Sequence, residues 1–146
     1  MVLIEENIGL LDRIRVPHLK LMRAFFIGKG SSLILAERRG KRSLLYVSNM
    51  DGYSIQPLSS EDARAICGVL TSNDPGPGAP VGLMDSMHGY SGISISVAER
   101  IDVIVDPQKP GNFALAFRGP EGRSIYDLTV HDADTFVAAV NTLLGE

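Results

Sequence analysis

At 146 residues the chain is the size of one compact domain, and a chain of this length buries roughly 68–70% of its unfolded surface. With 45% apolar and 21% charged residues it falls outside the disordered and fibrous classes, and no charge-free apolar run approaches the ~18 residues of a membrane-spanning helix. The formal charge is −3, and the single cysteine, Cys67, excludes an internal disulfide framework or a cysteine-rich metal site. Glu5 and Glu6 stand where a secretory leader would carry positive charge, so the expected compartment is the cytoplasm, with no membrane association.

Residues 1–18 read as a leader with a short helix over Asn7–Ile14 that stops at Pro17. Leu19–Ile27 is a strand ending in Gly28-Lys29-Gly30, and Ser32–Glu37 is a second that enters the turn Arg38-Arg39-Gly40-Lys41. Ser43–Ser48 returns as the hairpin partner, Asp51-Gly52 is a tight-turn dipeptide, and Tyr53–Gln56 is a fourth strand. The period then changes: Ala63, Ile66, Cys67 and Leu70 fall at i, i+3, i+4 and i+7, the apolar stripe of a helix capped by Ser59. Residues 72–91, rich in Gly and Pro, form a connection. Its Met84, Asp85, Met87, His88 and Tyr90 suit either a contact patch or an ordinary packed loop.

Beyond the connection, Ile93, Ile95 and Val97 alternate with serines, and Ile101, Val103 and Val105 follow after Glu99-Arg100. Pro110-Gly111 makes a turn, Phe113–Phe117 a third strand, Gly119-Pro120-Glu121-Gly122 a hairpin connection, and Ser124–Thr129 a fourth strand. A last helix carries Ala133, Phe136, Val137, Val140 and Leu144, with Thr129 as its cap and Asp132 in its first turn.

Placing Leu58–Leu70 on Leu128–Val140 without a gap pairs Ser59 with Thr129, Asp62 with Asp132, and every stripe position with an apolar one. The chain thus reads as four strands and a helix, twice, over residues 19–71 and 92–146. One apolar sheet face is too large for a single helix, so the expected fold is α+β: two tandem antiparallel four-strand-plus-helix units packed as a pseudo-dimer.

In this element order, and in the strand-to-helix junctions Pro57-Leu58-Ser59-Ser60-Glu61-Asp62 and Leu128-Thr129-Val130-His131-Asp132, the chain resembles the Whirly proteins and the related transcriptional positive-cofactor domains. The resemblance covers about Leu19 to Leu144 and implies a binder of single-stranded DNA or RNA that regulates transcription. Where plant members carry a Lys-Gly-Lys-Ala-like motif, this chain has Gly28-Lys29-Gly30-Ser31.

Charge is segregated: residues 1–50 hold nine bases and four acids (9 − 4 = +5), and the remainder five and thirteen (5 − 13 = −8). A cationic surface for a polyanion follows, and so, equally, does pairing of unlike charges across the fold or an oligomer interface. Unpaired nucleic acid needs cations for phosphates and flat side chains for bases. Lys20, Arg23 and Lys29 bracket Phe25 and Phe26, while Arg38, Arg39, Lys41 and Arg42 lie beside Tyr46. These seven cations and Tyr46 are the candidate nucleic-acid-binding residues, although aromatics on strands are more often core, and the basic hairpin serves equally as a solvated turn that discourages edge-to-edge aggregation.

No catalytic or cofactor site is expected. His18, His88 and His131 lack helical metal-ligand spacing, Gly89-Tyr90-Ser91-Gly92 lacks the second glycine of a nucleophile elbow, and Gly28-Lys29-Gly30-Ser31-Ser32 lacks the first glycine of a phosphate loop. The leading expectation is a non-enzymatic single-stranded nucleic-acid binder. The alternative is a secretion-chaperone-like or inhibitor module whose acidic half takes a basic protein. Exposed strand edges also favour homo-oligomers.

Overall fold

Aliphatic and aromatic runs separated by glycine turns build two sheets in chain order. A computed structural model describes residues 3–6, 19–28, 30–48, 54–72, 79–80, 93–105, 113–120 and 122–145. Strands β1 (Ile4–Glu5), β2 (Lys20–Gly28), β3 (Ser31–Arg38), β4 (Lys41–Ser48) and β5 (Ser54–Leu58) form one antiparallel sheet, followed by helix α1 (Ser60–Thr71). Strands β6 (Ala79–Pro80), β7 (Ile93–Ala98), β8 (Ile101–Val105), β9 (Phe113–Gly119) and β10 (Gly122–Leu128) form the other, followed by α2 (Val130–Leu144).

The fold is therefore α+β, but each sheet has five strands where four were expected. The additions are two-residue strands: β1 lies in the expected leader and pairs with Phe25 and Phe26, and β6 lies in the expected connection and pairs with Ile93 and Ser94. Two residues carry no readable period, so only their partners reveal them. The expected helix Asn7–Ile14, the turns at Asp51-Gly52 and Pro110-Gly111, the elbow-like segment and the Met84–Tyr90 patch lie outside the described residues.

Paired residues share a face, so register assigns each side chain. Phe25, Leu33, Leu35, Leu44, Tyr46 and Leu58 point inward from the first sheet and join Val103, Leu115, Phe117 and Leu128 of the second and Ile66 and Phe136 of the helices in one core. The opposite faces are also apolar and buried, with Ala24, Ile34, Ala36, Leu45 and Val47 on one sheet and Ile104, Ala114 and Ala116 on the other. Burial on both faces explains why Leu33-Ile34-Leu35-Ala36 runs on without alternation.

The helices exchange sheets. α1 packs on β7 and β8 as well as β4, α2 packs on β2 and β3 as well as β10, and the two helices pack on each other. Both expected caps form: Ser59 Oγ accepts the Asp62 amide at 3.1 Å, and Thr129 and Asp132 form a reciprocal capping box with both bonds at 3.2 Å. Ala63 and Ala133, Ile66 and Phe136, and Leu70 and Val140 are buried in pairs, while Cys67 and Val137 are both intermediate. The shift that aligns the helices (129 − 59 = 70) also relates a bulge between Phe26 and Gly28 in β2 to one between Ser96 and Ala98 in β7 (98 − 28 = 70).

Gly28 locks one half to the other. Its φ is +120°, and a Cβ there would stand 2.3 Å from Asp132 Oδ1, so the α2 N-terminus seats on the end of β2 only over a glycine. Among the described residues no helix is long and apolar enough to cross a membrane.

Candidate nucleic-acid interface

The β3–β4 hairpin turns on two residues with positive φ, Arg39 at 52° and Gly40 at 79°, the signature of a type I′ turn that matches strand twist. Arg38 and Lys41 sit directly opposite each other as the last ladder pair, and Glu37 and Arg42 form the pair before it. Register puts Arg38 and Lys41 on one face of the sheet, and Lys20, Glu37 and Arg42 in a row on the other. Lys20, Arg38, Arg39, Lys41 and Arg42 are all exposed. The hairpin end is thus a fan of five cations around one carboxylate.

Two features of this end run against local stability. A type I′ turn favours Asn, Asp or Gly at its first central position, and a Cβ in the left-handed region costs about 1–2 kcal/mol. Like charges directly opposite in a ladder, as at Arg38 and Lys41, also repel. Beside Arg42 a small groove of about 190 Å³ is bounded by Ser43, Ser60 and the α2 residues Leu143 and Leu144. That is below the ~300 Å³ at which small-ligand pockets begin, so the groove is too small to enclose such a ligand.

The remaining candidates part from this group. Arg23 donates from Nε to Glu5 Oε1 at 2.8 Å and from Nη2 to Glu5 Oε2 at 3.4 Å, with its guanidinium 4.9 Å from the Phe25 ring centroid. It ties β1 to β2, and a phosphate would have to displace a forked carboxylate. Lys29 lies outside the described residues.

Tyr46 requires a correction: it is 0% exposed and cannot stack on a base. Its ring lies among Phe117, Tyr126 and Phe136, with centroids 5.9, 5.2 and 6.3 Å away. The reason is register, which sets Tyr46 opposite Leu33 and Gln56 on the inward face. Burial, reinforced by the nearby Tyr126, Asp132 and Asp127, pushes its phenol up to about 12, against a smaller opposing effect of the Ser31 hydroxyl. The Tyr46 hydroxyl stands beside Ser31 without meeting hydrogen-bond geometry. Phe25 is likewise buried and Phe26 half-buried, so no described aromatic is exposed beside the hairpin. The contacts available there are ionic.

The candidate residues read from the sequence all lie in the first half and leave out the arginines of the acidic second half. Arg118 and Arg123 form a ladder pair flanking the β9–β10 turn, and the Arg118 amide donates to the Arg100 carbonyl at 2.8 Å. The signal was available: two arginines flank Gly119 and Gly122 as Arg38 and Lys41 flank Arg39-Gly40. Compared with family models, curated proteins and solved structures, the chain gives no match.

Proposed function

We propose that the chain is a non-enzymatic binder of single-stranded nucleic acid that grips the phosphate backbone with the end of its β3–β4 hairpin. The observation that carries the reading is the composition of that end. Lys20, Arg38, Arg39, Lys41 and Arg42 are exposed together, although the turn geometry disfavours Arg39 and the ladder sets Arg38 against Lys41. Three cations placed against local preference at one exposed turn are accounted for by a ligand. Burial of Tyr46 moves the expected mode from base stacking toward phosphate tracking, which carries little sequence preference. A Whirly-like pseudo-dimer belongs to the same proposal, and the exchange of helices between sheets and the shared bulge positions support it.

Fluorescence anisotropy with single-stranded DNA, single-stranded RNA and duplex DNA at two salt concentrations tests the reading. With four phosphates contacted, affinity for a single strand should fall with a log–log salt slope of about −3 (0.7 × 4). Arg38→Glu with Lys41→Glu should abolish most binding at low salt. A chain that ignores all three oligomers at low salt and instead retains a basic protein on its acidic surface would reverse the conclusion in favour of a protein-interaction module.

A further inference from the structure

An edge strand that is not guarded offers its backbone groups to another chain. Three of the four sheet edges are blunted. β5 carries Pro57 and β6 carries Pro80, and a proline cannot donate to a ladder. β10 lies against β5, where the Tyr126 and Ser54 hydroxyls share a hydrogen bond. The fourth edge, β1, has no proline and, among the described residues, no strand beyond it. It also carries Ile4, 58% exposed, the one large apolar side chain left exposed among those residues.

The way β1 is seated follows from strand alternation, which sends Leu3 and Glu5 to one face and Ile4 and Glu6 to the other. Leu3 packs, half-buried, against the main core. Glu5 takes the Arg23 fork, with Nε at 2.8 Å and Nη2 at 3.4 Å. On the opposite face the hydroxyl of the buried Ser32 donates to the Glu6 carboxylate. The main chain pairs Ile4 with Phe26 and Glu5 with Phe25, and the Glu6 amide donates to the Ala24 carbonyl at 2.9 Å. The two charges that could guard this edge are therefore drawn onto the sheet.

Four consecutive residues thus fill an apolar seat, a guanidinium seat and a hydroxyl seat, with main-chain bonds between them. Strand addition works in this manner, main-chain bonds supplying affinity and alternating side chains supplying selection. The strand that fills the seats is lightly held. It has two ladder pairs along a nine-residue β2, and its ion pair is open to solvent, with the Glu5 side chain 49% exposed. Such a strand opens at low cost.

We propose that the edge of β2 is a strand-acceptor site, that β1 fills it in cis, and that its partner is an extended protein segment of the form apolar-any-acid-acid, which pairs antiparallel to β2 in place of β1. Arg23, set apart from the cationic hairpin by Glu5, selects the first acid of that segment, and Ser32 the second. The site is independent of any ligand at the β3–β4 hairpin.

The probe is the capped peptide Met-Val-Leu-Ile-Glu-Glu, which repeats residues 1–6, added to the full chain labelled with nitrogen-15. Because β1 competes from within the same chain, binding to the unaltered protein is weak. A spin-labelled peptide in excess should nevertheless broaden the Ala24 and Phe25 amides. Glu5→Lys sets like charge against Arg23, loosens β1, and should tighten the peptide about tenfold. A peptide with glutamine at both acids should bind that variant about tenfold less well. No broadening in the unaltered chain, or equal affinity for the two chains, would overturn the site. Equal binding of the acidic and glutamine peptides would overturn the acidic partner. A concentration-dependent dimer that shifts the same amides without peptide would make the occupant a second copy and overturn the choice of a foreign segment. The spin-label measurement decides the matter even where Glu5→Lys folds poorly.

Discussion

Arg39 is a residue whose cost and use separate cleanly. Its φ of 52° suits asparagine, and its side chain is exposed. Arg39→Asn is therefore expected to stabilise the fold by up to about 1 kcal/mol, read as a rise of a few degrees in Tm, while weakening oligonucleotide binding. A purely structural arginine would lose nothing by the change. Tyr46 gives the opposite case, a residue set wholly by the fold. Its folded pKa, about 12, lies above the unfolded 10, so its contribution to stability is complete below pH 10 and disappears as pH rises toward 12. Urea titrations across that range should show wild type losing roughly 2–3 kcal/mol more than Tyr46→Phe. At pH 7 the substitution should be close to neutral, because the hydroxyl it removes meets hydrogen-bond geometry with no partner among the described residues.

At the scale of elements, the decisive contact joins the end of β2 to the first turn of α2. Gly28→Ala would force a Cβ against the Asp132 carboxylate at a positive φ and should destabilise by about 1–3 kcal/mol or more. Gly40→Ala meets nothing within 4 Å and carries strain alone, so it should cost less, on the order of 1 kcal/mol. Adding Asp132→Ala loses the cap but opens the space, so the cost of Gly28→Ala should shrink in that background; equal costs in a thermal-denaturation cycle would mean that the helix does not bear on Gly28. Both caps and both apolar stripes were legible in the sequence because they are local, set by residues within a turn or two of one another. The two-residue strands β1 and β6 were not, since such a strand is defined by its partner.

For the molecule as a whole, the exchange of helices makes each half incomplete. α2 covers β2 and β3 of the first sheet, and α1 covers β7 and β8 of the second. A fragment of residues 1–72 keeps its own helix but loses the one that lies on β2 and β3. Alone it should show no cooperative thermal transition, whereas mixing it with a fragment of residues 79–146 should restore one at the temperature set by fragment concentration. Independent melting of either fragment would show that each half folds on its own and that the exchanged helices are dispensable.

Element type, order, caps and the doubled pattern were determined by the chain itself, because they depend on spacing along a few residues. The basic turn was legible for the same reason, as four cations around a glycine. Only the tertiary structure decided which candidates share a surface. Register turned Tyr46 inward, and Glu5 occupied Arg23. Those outcomes depend on residues far apart in sequence meeting across a sheet or between sheets, and a period read along the chain contains no term for that distance.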